Sequence, residues 1–313
     1  MFHIGRDGWL FLTGGSNGAA DLYRTNPAVW RMLRGWRRLL LARAARAEGL
    51  GLHYLHLVSP EKLSVYDQLF VGRGPVRAAR SPARRLGRLV RLSAAGRRLW
   101  VDALAPLRAA RDGPALYHRT DTHWTSHGTF IAYRTLCTAC GATPLDDLLA
   151  TRPGITATGV MDLGEKLQFP VPETRTVHLI PQRARIAEQS PLHALAERYP
   201  ALDLHTGVAV GTRNDHPAAD PRRLLLFGSS YSGYGPSGLT AMLAETFRSV
   251  HFVWSAEIDW PLVARLRPDL VVTESAERYM ARLPGDRFDV ARYQEEAIAR
   301  LLAAHPGLAA LNP

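Results

Sequence analysis

Four consecutive apolar residues, Leu224-Leu225-Leu226-Phe227, stop at Gly228 and give way to Ser229-Ser230-Tyr231-Ser232. An apolar run closed by a turn predicts a strand buried on both faces, as in a parallel sheet. Similar short runs occur at His53 to Val58, stopped by Ser59-Pro60, at Leu99-Trp100-Val101 and at Ala115-Leu116-Tyr117. Two more lie at Val250 to Trp254 and at Leu270 to Thr273, the latter ending in Glu274. Between them the period changes. Val29, Leu33, Trp36 and Leu40 recur at helical spacing with arginines between them; Pro27 suits the first turn, and Gly49 and Gly51 suit the end. Helical patterns also cover Leu104 to Ala110, Ser126 to Cys140, Leu239 to Phe247, Trp260 to Leu266 and Arg287 to Ala304. Strand and helix in alternation predict an α/β fold built on a parallel sheet. Gly5 to Leu12 reads as a hairpin. Residues 150 to 220 break the pattern with prolines, β-like runs such as Thr176 to Ile180 and no clear period. They are expected to form an irregular insertion in one domain spanning residues 1–313.

Charge changes the picture less than its size suggests. The formal net charge is +11 and almost all cations are arginine, Lys62 and Lys166 being the only lysines. No recognition motif or interleaved aromatic pattern accompanies the arginines, so nucleic acid is not an expected partner. The basic stretch Arg77 to Arg98, with Leu86, Leu89 and Leu92 at helical spacing, reads as a surface helix, the alternative being a groove for an anionic substrate. Two cysteines, Cys137 and Cys140, cannot build a disulfide framework or a four-cysteine zinc site, and lie one helical turn apart. Met1 to Arg6 has no charged-then-apolar leader and no run is long enough to cross a membrane, so the chain as written reads as cytoplasmic. Oligomeric state is not legible.

The chemistry gathers in two stretches. Ser230 is expected at the carboxyl edge of the sheet, where open α/β folds bind ligands. Glycine two residues earlier permits a tight turn, and amides beyond the strand can face a developing oxyanion. The stretch is not a G-x-S-x-G elbow, because position 232 is serine. The second stretch is Tyr117-His118-Arg119-Thr120-Asp121-Thr122-His123-Trp124-Thr125. A serine hydroxyl needs a base, histidine suits that work near neutral pH, and a carboxylate orients the imidazole. In extended chain, Asp121 and His123 would face the same side, towards a serine at a neighbouring strand end. The same residues, with His127, are also good metal ligands, which leaves a metal site as the competing reading, although no HExxH pattern is present.

The chain resembles the SGNH-hydrolase-like family of polysaccharide O-acetyltransferases of the alginate-acetylation type, AlgX and AlgJ. The resemblance rests on Gly5-Arg6-Asp7-Gly8-Trp9-Leu10-Phe11, the Pro60-Glu61-Lys62 to Tyr66 segment, Thr120-Asp121-Thr122-His123-Trp124 and Asp162-Leu163-Gly164. Gly228-Ser229-Ser230-Tyr231-Ser232, Pro268-Asp269-Leu270-Val271-Val272 and Glu277-Arg278-Tyr279 complete it. It implies a three-layer, flavodoxin-like sheet, a triad of Ser230, His123 and Asp121, and acetyl transfer through an acyl-serine without a cofactor or metal. Trp124, Arg119 and Tyr231 would line the sugar site, and Lys62 and Arg278 are candidates for structural ion pairs. The partners implied are a carbohydrate acceptor and an acyl donor, either a membrane O-acyltransferase, as beside exported family members, or a thioester for a cytosolic one. An esterase on the same triad and a non-catalytic polysaccharide-binding protein using the arginine-rich surface are the alternatives.

Overall fold

The computed structural model describes residues 1–305 apart from Ser16, Arg73 and Pro75. Two short strands, β1 (Phe2–Ile4) and β2 (Leu10–Leu12), form the expected N-terminal hairpin. Helix α1 (Pro27–Gly49) follows, with Asn26 accepting from the Val29 amide at its start. Next come β3 (His53–Ser59), α2 (Lys62–Val65), α3 (Pro82–Val90), α4 (Ala94–Leu99), β4 (Trp100–Val101), α5 (Leu104–Ala109), α6 (Ser126–Cys140) and α7 (Leu148–Thr151). The remainder is β5 (Gly154–Val160), β6 (Pro172–His178), β7 (Ala184–Gln189), α8 (Pro191–Arg198), β8 (Ala209–Asn214), β9 (Asp220–Gly228), α9 (Leu239–Thr246), β10 (Phe247–Trp254), α10 (Trp260–Leu266), β11 (Leu270–Ala276) and α11 (Val290–Ala304).

Seven strands form the main sheet in the order β4-β3-β11-β9-β10-β8-β7. Five of them, β4 to β10 in that order, run parallel. β8 is antiparallel to both β10 and β7, so the sheet is mixed at one side. Alternate side chains of each central strand feed opposite layers, as the two-residue period of a strand requires. Leu224 and Leu226 join Leu57, Phe252 and Val272 under α6 and α9, while Leu225 and Phe227 join Tyr54, Val253 and Val271 under α1, α3 and α10. The result is three layers, with the carboxyl ends of β3, β9, β10 and β11 opening at one edge.

The stretch from 150 to 220 divides in two. β5 and β6 pair only with each other, whereas β7 and β8 extend the main sheet. Two expectations need correcting. Ala115 to Tyr117 is not a strand; it makes a single bridge, Tyr117 to Trp124, because the chain bends back on itself there. The basic stretch Arg77 to Arg98 breaks into α3 and α4, since Ser93 caps a new helix through the Gly96 amide. Its helices pack on the α1 layer, with Ala83, Leu86 and Val90 buried beside Leu33 and Trp36.

Candidate functional site

Ser230 opens a single turn directly after β9, and that turn is held from below. Glu274, near the end of β11, is 2% exposed; its Oε2 accepts from the Ser229 amide at 2.7 Å, from Ser229 Oγ at 2.8 Å and from Ser232 Oγ at 3.1 Å. These bonds pin both flanks of Ser230. Gly228 is required by the same arrangement, because a Cβ there would lie 2.7 Å from Ser232 Cβ. Burial raises the Glu274 pKa against the hydrogen bonds from Ser59, Ser229 and Ser232 that favour the carboxylate.

The loop before α6 delivers the second half. His123 Nε2 lies 2.8 Å from Ser230 Oγ, and His123 Nδ1 lies 2.6 Å from Asp121 Oδ1. The convergence of Asp121 and His123 does not come from strand alternation. Asp121 Oδ1 also accepts the His123 backbone amide at 2.6 Å, so the carboxylate closes an Asx-type turn on the residue whose ring it orients. Burial pushes the Asp121 carboxyl up, but the hydrogen bonds and charge of His123 hold it well below the usual carboxylate range. It is therefore ionised at neutral pH and fixes the imidazole with Nδ1–H towards itself, leaving Nε2 to accept from the serine.

Two carboxylates from the β5–β6 region brace this loop, and the residue patterns gave a role to neither. Glu173 accepts from the Arg119 amide at 2.8 Å, the Thr120 amide at 2.7 Å and Thr120 Oγ1 at 2.6 Å. Although burial opposes it, hydrogen bonds from His118 and Thr120 lower its pKa to about 2. Asp162 accepts from the Thr122 amide at 2.9 Å and from the Thr122 hydroxyl. The Asp162-Leu163-Gly164 piece of the family resemblance was the signal available for the second of them.

Of the expected sugar-lining residues, Trp124 and Tyr231 border a cavity of about 320 Å³ beside Ser230, with Tyr234, Trp254 and the Gly233–Gly238 loop. Both are largely buried. Tyr231 donates to Thr122 O at 2.6 Å and meets Trp124 edge-on, so it braces the loop as well as lining the cavity. Arg119 is not brought to the site: its side chain is exposed and borders neither cavity that reaches Ser230, because its backbone is turned inward to Glu173, Lys62 and Leu10. Arg278 does form an ion pair, Nε to Glu61 Oε1 at 2.6 Å. Lys62 does not. Its ammonium donates to the carbonyls of Leu10, His118 and Arg119, three acceptors for three protons, and burial lowers its pKa to about 8.

The metal alternative changes membership. Ligand atoms of Asp121, His123 and Asp162 lie within 4.8 Å of one another, whereas His127 faces His178 with ring centroids 6.0 Å apart. Both His123 nitrogens are already hydrogen-bonded, which favours the relay over a metal. Cys137 and Cys140 are free and buried, and burial pushes the Cys140 thiol up to about 12, so they are unreactive core residues.

On its other side Ser230 opens into a larger cleft of about 910 Å³ between the β9, β10 and β11 ends and the Asp162–Glu165 and Asp203–Thr206 loops. A serine–histidine–aspartate relay at the carboxyl edge of a three-layer α/β sheet is the arrangement of serine-nucleophile hydrolases and acyl transferases. Residues 2–256 match the family described as SGNH hydrolase-like domain, acetyltransferase AlgX, and the chain belongs to that family. A probable alginate O-acetylase AlgJ of Pseudomonas aeruginosa is 28% identical over 316 residues, covering 96% of this chain and 75% of that protein. In structure, a DHHW family protein from Eubacterium siraeum is similar with a TM-score of 0.62 at 16% identity, over 88% of this chain and 90% of the other. The O-acetyltransferase domain of Pseudomonas putida AlgJ gives 0.50 at 21% identity, over 94% and 99%. These two likenesses concern the fold. The chain is an O-acetyltransferase of the SGNH-hydrolase-like type, working between an acyl donor and a carbohydrate acceptor.

Proposed function

We propose that the chain transfers an acetyl group to a glycan hydroxyl through a covalent acetyl-Ser230. The observation that carries this reading is the unbroken chain Ser230 Oγ to His123 Nε2 at 2.8 Å and His123 Nδ1 to Asp121 at 2.6 Å. Ser230 Oγ attacks the donor's acetyl carbonyl while its proton passes to His123 Nε2. Collapse of the tetrahedral intermediate expels the donor's leaving group, which takes that proton. The glycan hydroxyl then attacks the acetyl carbonyl, gives its proton to Nε2, and is released as the acetyl ester as Ser230 Oγ recovers the proton. Asp121 stabilises the imidazolium in both halves. The Ser230 amide supports the oxyanion role: it opens the turn with no partner among the described residues, while the Tyr231 and Ser232 amides are used within the turn. The donor is an activated acyl group delivered from outside, from a membrane O-acyltransferase or a thioester.

Water is the competing acceptor, because the His123 side chain is 36% exposed. The ratio of acetylated glycan to free acetate separates transferase from esterase. The reading itself is tested by intact mass after a serine-reactive fluorophosphonate. One adduct on the native chain, lost in Ser230→Ala and much reduced in His123→Ala, is expected. Equal transfer by Ser230→Ala would sink the proposal.

A further inference from the structure

Ser230 stands between two spaces whose linings share His123, Ser230 and Trp254 and no other residue. Acyl transfer gives each space a different group to hold. The tetrahedral carbon on Ser230 Oγ carries three further substituents: the oxyanion, the acyl chain, and the atom that leaves or attacks beside His123 Nε2. That last position is filled twice, by the donor's leaving group and then by the glycan hydroxyl, because Nε2 serves both. The glycan is large, and the cleft of about 910 Å³ is the space with room for several sugar units. The cavity of about 320 Å³ is then left to the acyl chain. An acetyl methyl fills on the order of one water's share of liquid, about 30 Å³, roughly a tenth of that volume. The lining suits hydrocarbon: Trp124, Tyr231, Tyr234, Pro236 and Trp254 border it, with no lysine, arginine, aspartate or glutamate. Tyr231 is held by its bond to Thr122 O at 2.6 Å and by the edge-on Trp124 ring, centroids 4.7 Å apart, so this wall is set before a chain arrives.

We propose that this cavity is the acyl-chain site and that the protein also transfers unbranched apolar acyl groups longer than acetyl, up to about hexanoyl. The inference rests on the acyl-serine reading above, and it gives Trp124 and Tyr231 to the acyl chain and not to the sugar. Ser230 Oγ bonds to the acyl carbon of an ester or thioester. The bond from that carbon to the leaving oxygen or sulfur breaks, and the leaving group takes the serine proton from His123. The glycan hydroxyl then attacks the same carbon and gives its proton to Nε2; the longer ester is released as Ser230 Oγ recovers that proton. Each methylene that leaves water is worth up to about fourfold in kcat/KM. An acyl group ending in a carboxylate gains nothing here, because no lysine or arginine in the lining would pair with it.

The test uses the whole chain with p-nitrophenyl acetate, butyrate and hexanoate as donors, each rate divided by that ester's own hydroxide-catalysed rate. Acylation of Ser230, read by nitrophenol release and by intact mass, should favour hexanoate over acetate by at least about fivefold in kcat/KM. Gly235 borders the cavity, its φ is not positive, and a Cβ there would meet nothing within 4 Å. Gly235→Leu should therefore lower the hexanoate-to-acetate ratio by at least about threefold, the ratio being read within each variant. Ser237→Leu, on the same loop, is a second and independent filling of the cavity, and each variant's fold is checked by circular dichroism. A smaller preference in the native chain, or a ratio that the folded variants leave unchanged, would overturn the inference. Loss of acetyl transfer to a glucan hexamer in those variants, with the ratio unchanged, would make the cavity a sugar site instead. Intact mass separates the remaining failures. An acyl-Ser230 that forms from acetate alone removes only the chain site; no acyl-Ser230 from any of the three esters removes the mechanism and this inference with it.

Discussion

The two ends of strand β9 carry opposite chemistry. At its carboxyl end stand Ser230 and a cleft bordered by five carboxylates. At its amino end a cavity of about 320 Å³ is bordered by Arg213, Arg223 and Arg248, with Leu224 and Leu225 beneath. Cavity volume does not tell them apart, since the smaller space beside Ser230 is also about 320 Å³. What separates them is convergence. At the carboxyl end, loops from four strands and the β5–β6 hairpin meet, and Asp121, His123 and Ser230 point at one another. At the amino end Arg213 and Arg223 sit on exposed strand positions, Arg213 tied to Asp215 at 2.6 Å and Arg223 to Asp269 at 3.7 Å. Surface pairs of this kind contribute little, about 0–1 kcal/mol, and bring no reacting atoms together. A charge of +11 therefore describes the exterior of this enzyme and not its site.

The sharpest way to break the comparison is Ser230→Ala. Acetyl transfer should fall by about 10⁴-fold or more, as for other serine relays, with the fold intact by circular dichroism. Asp121→Asn comes next. An amide in that place can orient the ring with the wrong tautomer, and a loss of about 10³–10⁴ in kcat is expected with KM little changed. Glu274→Leu removes the one oxygen that accepts from the Ser229 amide and from the Ser229 and Ser232 hydroxyls. A stability loss of about 1–3 kcal/mol by urea unfolding is expected, with a lower kcat; a fully active, equally stable variant would mean the turn needs no brace.

Glu173→Gln gives a smaller and pH-dependent effect. The folded-state pKa of Glu173 is about 2, below its ordinary value of 4.5, so the stability it adds is complete above about pH 4.5 and is lost as pH falls towards 2. Native and variant unfolding midpoints should therefore differ at pH 6 and converge at pH 2 to 3. The smallest effect is expected at the other end of β9. Arg213→Gln and Arg248→Gln should each change stability by less than about 0.5 kcal/mol and leave acetyl transfer within twofold. A large loss of transfer there would make the arginine-lined end an acceptor surface and revive the polyanion-binding alternative.

Where local signals decide structure, the residue pattern was a good guide. Helix α6 begins at Ser126 and stops at Cys140 as its period indicates, with Thr125 accepting from the Gly128 amide and Gly141 at φ 68° closing it. Trp260–Leu266 is bounded in the same way, by Asp259 at one end and Arg267 at the other. β7 was not legible. Ala184–Gln189 is mostly exposed and lacks an apolar run, because an edge strand need bury little, and only the ladder to β8 makes it a strand. β11 was legible as a strand from Leu270, but it runs past Glu274 to Ala276, and Glu274 was not legible as the brace beneath Ser230.

The sequence by itself determined the alternation of strands and helices, the apolar strand that ends at Ser230, and the Asp121-Thr122-His123 stretch whose side chains act on each other over two residues. Those are local facts, set by periodicity, turn chemistry and an i to i+2 contact. Only the tertiary structure decided that His123 meets a serine 107 residues away, that Glu173 and Asp162 hold the loop between them, and that Arg119 faces outward. It also decided the sign of the cleft. Its acids come from four separate stretches of a basic chain, and only the closing of the sheet edge sums their fields in one place, with Arg278 the one arginine in the lining.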